Sequence, residues 1–159
     1  MNHLNRSIKV ISQRVVSAAR FHGEVPNDTQ PMHVAQNVMD SHADTSCAEA
    51  NWSLLEYTGQ VCEVSPFLST YAPVKEVPIA RCCTIWTSQI TGHEYLLVAD
   101  EMLWFGTTLQ HSLLNPNQIR AYSHELNDNP WTRNDDFGIK CDDQFIPFDT
   151  TGMIVHFES

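Results

Sequence analysis

Val38-Met39-Asp40-Ser41-His42-Ala43-Asp44-Thr45 is the stretch on which the reading of this chain turns. Two apolar residues lead into a polar run, so the segment reads as a strand ending in a tight turn with Asp40 at the junction. Hydrolysis by paired carboxylates asks for such an acid at a strand end, on a turn kept rigid by the neighbouring hydroxyl, here Ser41. Two carboxylates in contact cannot both ionise, so they share one proton. One then acts as general base on water and the other as general acid towards a carbonyl. The plain alternative is an ordinary polar turn after a strand.

Outward from this turn the signals are mostly strand. Residues 34–39 form a short apolar stretch. Residues 52–57 and 61–64 flank Thr58-Gly59-Gln60, a hairpin signal, and residues 77–86 and 95–100 flank Thr91-Gly92-His93, a second one. Residues 102–105 are a further apolar run. Residues 116–122 predict a short helix with Pro116 at its first position. Residues 127–143 are polar and acidic and read as loop, with 145–148 and 153–157 as a last pair of strands. Phe148-Asp149-Thr150-Thr151-Gly152 reads as the turn between that pair rather than as a second acidic motif. Many short strands with little helix predict an all-β barrel or sandwich.

The N-terminal residues read differently. Leu4, Ile8, Ile11 and Val15 recur at helical spacing, so residues 3–20 are expected to be an amphipathic helix, followed by a loop at 22–31. The expected organisation is a helical extension and linker over 1–33 and one domain over 34–159. Arg6, Lys9, Arg14 and Arg20 make the start basic and acid-free, which also fits a mitochondrial presequence.

The whole chain of 159 residues carries 9 Lys and Arg against 19 Asp and Glu, a net charge of −10. Removing the first 20 residues leaves 5 − 19 = −14. An acidic body repels phosphate, so nucleic-acid binding by this domain alone is not expected. No apolar run approaches a membrane span, and the polar start lacks the apolar core of a secretory signal. The five cysteines are odd in number and include the adjacent pair Cys82-Cys83, which points to a reducing, cytoplasmic setting rather than a disulfide framework.

The turn Asp40-Ser41-His42-Ala43-Asp44-Thr45 resembles the Asp-Ser/Thr-Gly-Ala signature of retropepsins, and more specifically the protease domains of copia-type retrotransposon polyproteins. The similarity continues through Leu54-Leu55-Glu56-Tyr57-Thr58-Gly59, Val64-Ser65-Pro66-Phe67 and Thr91-Gly92-His93-Glu94-Tyr95-Leu96-Leu97-Val98. It goes on through residues 99–105, His111-Ser112-Leu113-Leu114-Asn115-Pro116-Asn117-Gln118-Ile119-Arg120 and Asn127-Asp128-Asn129-Pro130. The resemblance implies a retropepsin-like closed β-barrel lobe with one short helix in its C-terminal half. Asp40 would be the catalytic acid, with Ser41, His42, Ala43, Asp44 and Thr45 as the supporting turn, and Ala43 and Asp44 on the floor of the groove. It also implies a homodimer that cleaves its own polyprotein, with no cofactor. The sequence has one such Asp motif, so the second carboxylate must come from a second copy.

His42 stands where a retropepsin has Gly, and a Cβ there would crowd an approaching substrate chain. The expected flap, about residues 62–75, has no Gly and contains Pro66 and Pro73. An inactive retropepsin-like fold serving as a structural or dimerisation module is therefore a second reading. A third is a metal-dependent hydrolase: were 40–44 a strand, Asp40, His42 and Asp44 would share one face and could ligate a divalent ion. A cysteine nucleophile at Cys47 or at Cys82-Cys83 has no paired His in the local pattern.

Overall fold

A computed structural model describes residues 8–11, 36–65, 70–132 and 136–159 of the protein. Its strands are β1 (Ile8–Ile11), β2 (Gln36–Met39), β3 (Cys47–Ala48), β4 (Ser53–Val64), β5 (Val74–Thr87), β6 (Glu94–Trp104) and β7 (Ser112–Leu114). A single short helix, α1 (Pro116–Ala121), follows, and then β8 (Glu125–Asn127), β9 (Gly138–Cys141), β10 (Gln144–Pro147), β11 (Asp149–Thr151) and β12 (Ile154–Glu158). The described chain is all-β.

The main sheet runs β11-β12-β2-β7-β3-β6-β5-β4, with β1 added to a free stretch of β6, and β10-β9-β8 form a second, three-stranded sheet. Met102, Leu114, Ile119, Ile146, Trp86 and Phe157 bring β6, β7, α1, β10, β5 and β12 into one apolar core. Each such side chain contributes about 1.5–3 kcal/mol when fully buried. The residues that alternate with them on β3, β6 and β7 face the other way: Cys47, Leu103 and Leu113 form a second cluster with Val77, Ile79, Cys62 and Val64 of the β4–β5 hairpin.

The expected closed barrel is not formed. Among the described residues no backbone ladder joins β4 to β11, the two ends of the order. The sheet instead curls until side chains meet. Thr84 of β5 and Ser159 beyond β12 share a hydroxyl hydrogen bond of 2.9 Å. Their strands lie five places apart, which would be about 24 Å in a flat sheet. The seam is filled by polar side chains rather than by a ladder. Buried Asn37 accepts from Trp52 Nε1 at 2.7 Å and from Asn51 Nδ2 at 3.1 Å, and donates to Ser159 Oγ at 2.7 Å.

Four local expectations are corrected. Residues 8–11 are a strand, not part of a helix: they pair antiparallel with Leu96–Ala99, a stretch of β6 that β3 does not reach. The hydrogen-bonding demand of that open edge overrides the local helical spacing. The remaining N-terminal residues of the predicted helix, and the loop at 22–31, lie outside the described residues. Thr58-Gly59-Gln60 is not a hairpin but a bulge within continuous β4, with a register shift between Tyr57 and Val61 and a φ of 78° at Gly59. The acidic stretch 127–143 contains β9, which turns into β10 through the two-residue loop Asp142-Asp143, with Asp142 at a φ of 54°. The last strands, β10 and β12, pair with β9 and with β11 and β2, not with each other.

The hairpin at Thr91-Gly92-His93 forms as its sequence predicts, joining β5 to β6 with the Gly92 N–H donating to the Ser88 carbonyl at 2.8 Å. The helix at 116–122 forms as α1, with Pro116 in its first turn.

Candidate functional site

Strands β2 and β7 lie side by side in parallel, pairing Val38 with Leu113 and Met39 with Leu114. Both end at the same level. β2 gives way to the turn that begins at Asp40, and β7 to helix α1. The Asp40 N–H donates to the Leu114 carbonyl at 2.9 Å, which carries the pairing one residue past β2. Asp40 thus stands at a strand end, with its side chain about one third exposed.

Residues 40–46 are turn, and the turn is tied at several points. The His42 N–H donates to Asp40 Oδ1 at 2.9 Å, an Asx-type turn. The Asn115 side chain donates to the Ala43 carbonyl. Ser46 is buried; its N–H donates to Gln118 Oε1 at 2.8 Å and its hydroxyl accepts from the Asn115 N–H at 3.0 Å. Gln118 Nε2 in turn donates to the Glu101 carbonyl at 3.1 Å. His42 is not among the residues with positive φ, so this turn accommodates a side chain without backbone strain. The imidazole is 92% exposed and its Nδ1 lies 3.8 Å from Asp40 Oδ1.

Asp40 and Ser41 form one wall of a surface cavity of about 400 Å³. Val38, Met39 and Leu113 line it from the parallel strands, and Met153 and Ile154 from the β11–β12 hairpin tip. Pro130 and Trp131 line it from the β8–β9 connection. Met153, Ile154 and Trp131 are all exposed large apolar residues. Asp128 also lies on the wall, but its carboxylate is held by Arg120 Nη2 at 2.7 Å. His42, Ala43, Asp44 and Thr45 are outside the lining, although Ala43 and Asp44 were expected on the groove floor.

The β4–β5 hairpin occupies the region expected for a flap. It rests on the second cluster through Cys62, Val64 and Val77, and Leu113 belongs both to that cluster and to the cavity wall. Among the described residues none of the hairpin lines the cavity. Residues 66–69, within its tip, lie outside the described residues.

The other chemistries are poorly served by this geometry. Residues 40–44 turn rather than extend, so Asp40, His42 and Asp44 do not share one strand face. Among the described residues no group of three His, Cys, Asp or Glu side chains is placed to hold a metal ion. Burial, and secondarily the charge of Asp40, pushes the Cys47 thiol up to about 11. Burial pushes the Cys82 thiol up to about 12 and raises Cys83 as well. A thiol held protonated is a weak nucleophile.

Asn115, Gln118, Trp131, Met153 and Ile154 are site residues that the sequence alone did not single out. The Asn115-Pro116 pair carried a usable signal, since Asn before Pro at a helix start is a capping pattern. Nothing local announces that the tip at 152–154 ends beside Asp40. That follows from the pairing of β12 with β2, which joins His156 to Val38.

Among the described residues no helix is long and apolar enough to cross a membrane. No family model, no curated protein and no solved structure matches this chain.

Proposed function

We propose that this chain is an aspartic endopeptidase domain of the retropepsin-like, copia-type retrotransposon class, working as a homodimer on extended polypeptide, chiefly its own polyprotein. Water is activated between the Asp40 carboxylates of two copies; one accepts its proton while the other protonates the substrate carbonyl oxygen. The observation that supports the reading best is the setting of Asp40. It stands on a tied strand-end turn in an all-β body, on the wall of a partly apolar cavity. An acidic optimum is expected, because one carboxyl of the pair must carry a proton. The test is cleavage of a proteome-derived peptide library between pH 3 and 7, with products read by mass spectrometry. The wild type cleaves and Asp40→Asn does not; cleavage that survives Asp40→Asn refutes the proposal.

One observation favours a second reading, a non-catalytic retropepsin-like module. The exposed His42 imidazole stands beside Asp40, its Nδ1 3.8 Å from Oδ1, where the retropepsin signature has Gly. On that reading the wild type is silent in the same assay and His42→Gly gains cleavage.

A further inference from the structure

We infer that Asn115 is a positioning residue for Asp40, holding the acidic turn in register with the end of β7; the inference rests on the peptidase reading above. Asn115 is buried, and each of its polar groups is engaged. Its Oδ1 accepts from the Asn117 and Gln118 N–H groups at 2.7 and 3.2 Å, capping α1. Its carbonyl accepts from the Ile119 N–H at 3.2 Å, and its own N–H donates to Ser46 Oγ at 3.0 Å. Its Nδ2 donates to the Ala43 carbonyl.

Capping alone does not call for an amide. Ser, Asp and Thr cap a helix about as well through one oxygen. What those residues lack is a donor arm that reaches across to the turn while the oxygen stays on the helix. That second task is the one that selects Asn. Between Asp40 and Ser46, both anchored by backbone N–H groups, two bonds reach the turn from outside it among the described residues. The Asn115 amide donates to the Ala43 carbonyl, at the middle of the turn, and the Cys47 thiol to the Thr45 carbonyl at 3.6 Å, at its far end from Asp40. Ser41, His42 and Asp44 are exposed, so packing does not hold them. The His42 N–H that fixes Asp40 Oδ1 sits on this tethered segment. The coupling therefore runs from the Asn115 amide to the Ala43 carbonyl, through the turn to the His42 N–H, and on to the carboxylate. Such a carboxylate must meet its twin in one orientation, and displacement of a reacting group by about 1 Å can lower the rate on the order of a hundredfold.

Asn115→Asp separates the two tasks. It keeps an oxygen for the helix cap and places a second oxygen against the Ala43 carbonyl, removing the donor. Asn115→Ala removes both. In the full chain, Asn115→Asp keeps the cap but leaves the Ala43 carbonyl without its donor. Its melting temperature is expected to fall, but by less than that of Asn115→Ala, which loses the cap as well. Backbone order parameters at residues 42–44 should fall from a rigid value near about 0.85 to below about 0.6. With the peptide library, kcat should fall roughly a hundredfold while KM changes little. The pH profile of kcat should shift as the carboxylate pair loosens. Wild-type order parameters at 42–44 in Asn115→Asp would overturn the inference. So would a loss of melting temperature equal to that of Asn115→Ala with mobility raised evenly throughout, which is the signature of a general loss of packing and not of a tether. A wild type that cleaves nothing defeats the peptidase reading; the order parameters then decide by themselves whether the tether exists.

Discussion

The main-chain N–H of Asp40 and the carbonyl of Leu114 are joined at 2.9 Å, one step beyond the last paired residues of β2 and β7. The acid is thereby placed by a backbone ladder, and only its side chain depends on the turn. Asp40→Asn leaves that bond intact and still offers an oxygen to the His42 N–H. Its melting temperature should match the wild type within about 2 °C, the size expected for substitutions that disturb no core or network. A large loss of stability would mean that Asp40 is a structural residue and not a spare acid facing a groove.

His42 is tolerated by the backbone and points into solvent, so its side chain contributes little to the fold. His42→Gly should change stability by less than about 1 kcal/mol, the usual cost of added chain freedom. By clearing the approach to Asp40 it should raise kcat/KM several-fold. An unchanged or lower value, measured with the same peptide library, would show that the imidazole crowds nothing.

Thr84 is buried, and its hydroxyl bonds both to the Asn51 carbonyl at 2.7 Å and to Ser159 at 2.9 Å. Thr84→Val keeps the shape and takes the donor from the half-buried Asn51 carbonyl. The expected cost is about 1–3 kcal/mol by urea unfolding. A cost near zero would mean that the curl of the sheet does not depend on this seam.

The buried thiols set a pH dependence. Cys47 is raised to about 11 and Cys82 and Cys141 to about 12, above the ordinary 9.0 they regain on unfolding. Above pH 9 the unfolded chain releases protons that the folded chain keeps. Stability from these groups is therefore complete below pH 9 and falls as pH rises from 9 towards 11–12. Urea midpoints compared at pH 8 and 10.5 should drop less in Cys82→Ala than in the wild type. An equal drop in both proteins would remove Cys82 as a contributor.

Gly138 opens β9 in contact with β10. A Cβ built there meets the Phe145 ring at 2.8 Å and the Ile146 carbonyl more closely still. Gly138→Ala should destabilise by about 1–3 kcal/mol through overpacking, read from the urea midpoint. A neutral outcome would show that the small sheet can part from its neighbours without loss.

The features legible in the sequence were those written in neighbouring residues. The Thr91-Gly92-His93 hairpin, the Pro116 helix start and the strand before Asp40 each depend on a few adjacent side chains. Gly59 was misread because a hairpin and a bulge both use a glycine at positive φ; only the partner strand, continuous through residues 74–87, distinguishes them. The strand at 8–11 was hidden for a similar reason. Its cause is the open edge of β6 at Leu96–Ala99, more than eighty residues away in the chain. The failure of the barrel to close is also non-local, because it lies in the polar seam around Asn37. In the site, Asp40 was legible as a motif residue. Trp131 and Met153 were not, since their place on the cavity wall comes from loops brought in by β8 and β12.

The separation of the two Asp40 carboxylates in a crystallised dimer tests the central claim most directly. Paired catalytic acids that share a proton stand about 3 Å apart, and this account predicts oxygen atoms in hydrogen-bonding contact beneath a common groove. A dimer that cleaves peptide with those oxygens well beyond hydrogen-bonding reach, or an active monomer, would contradict it.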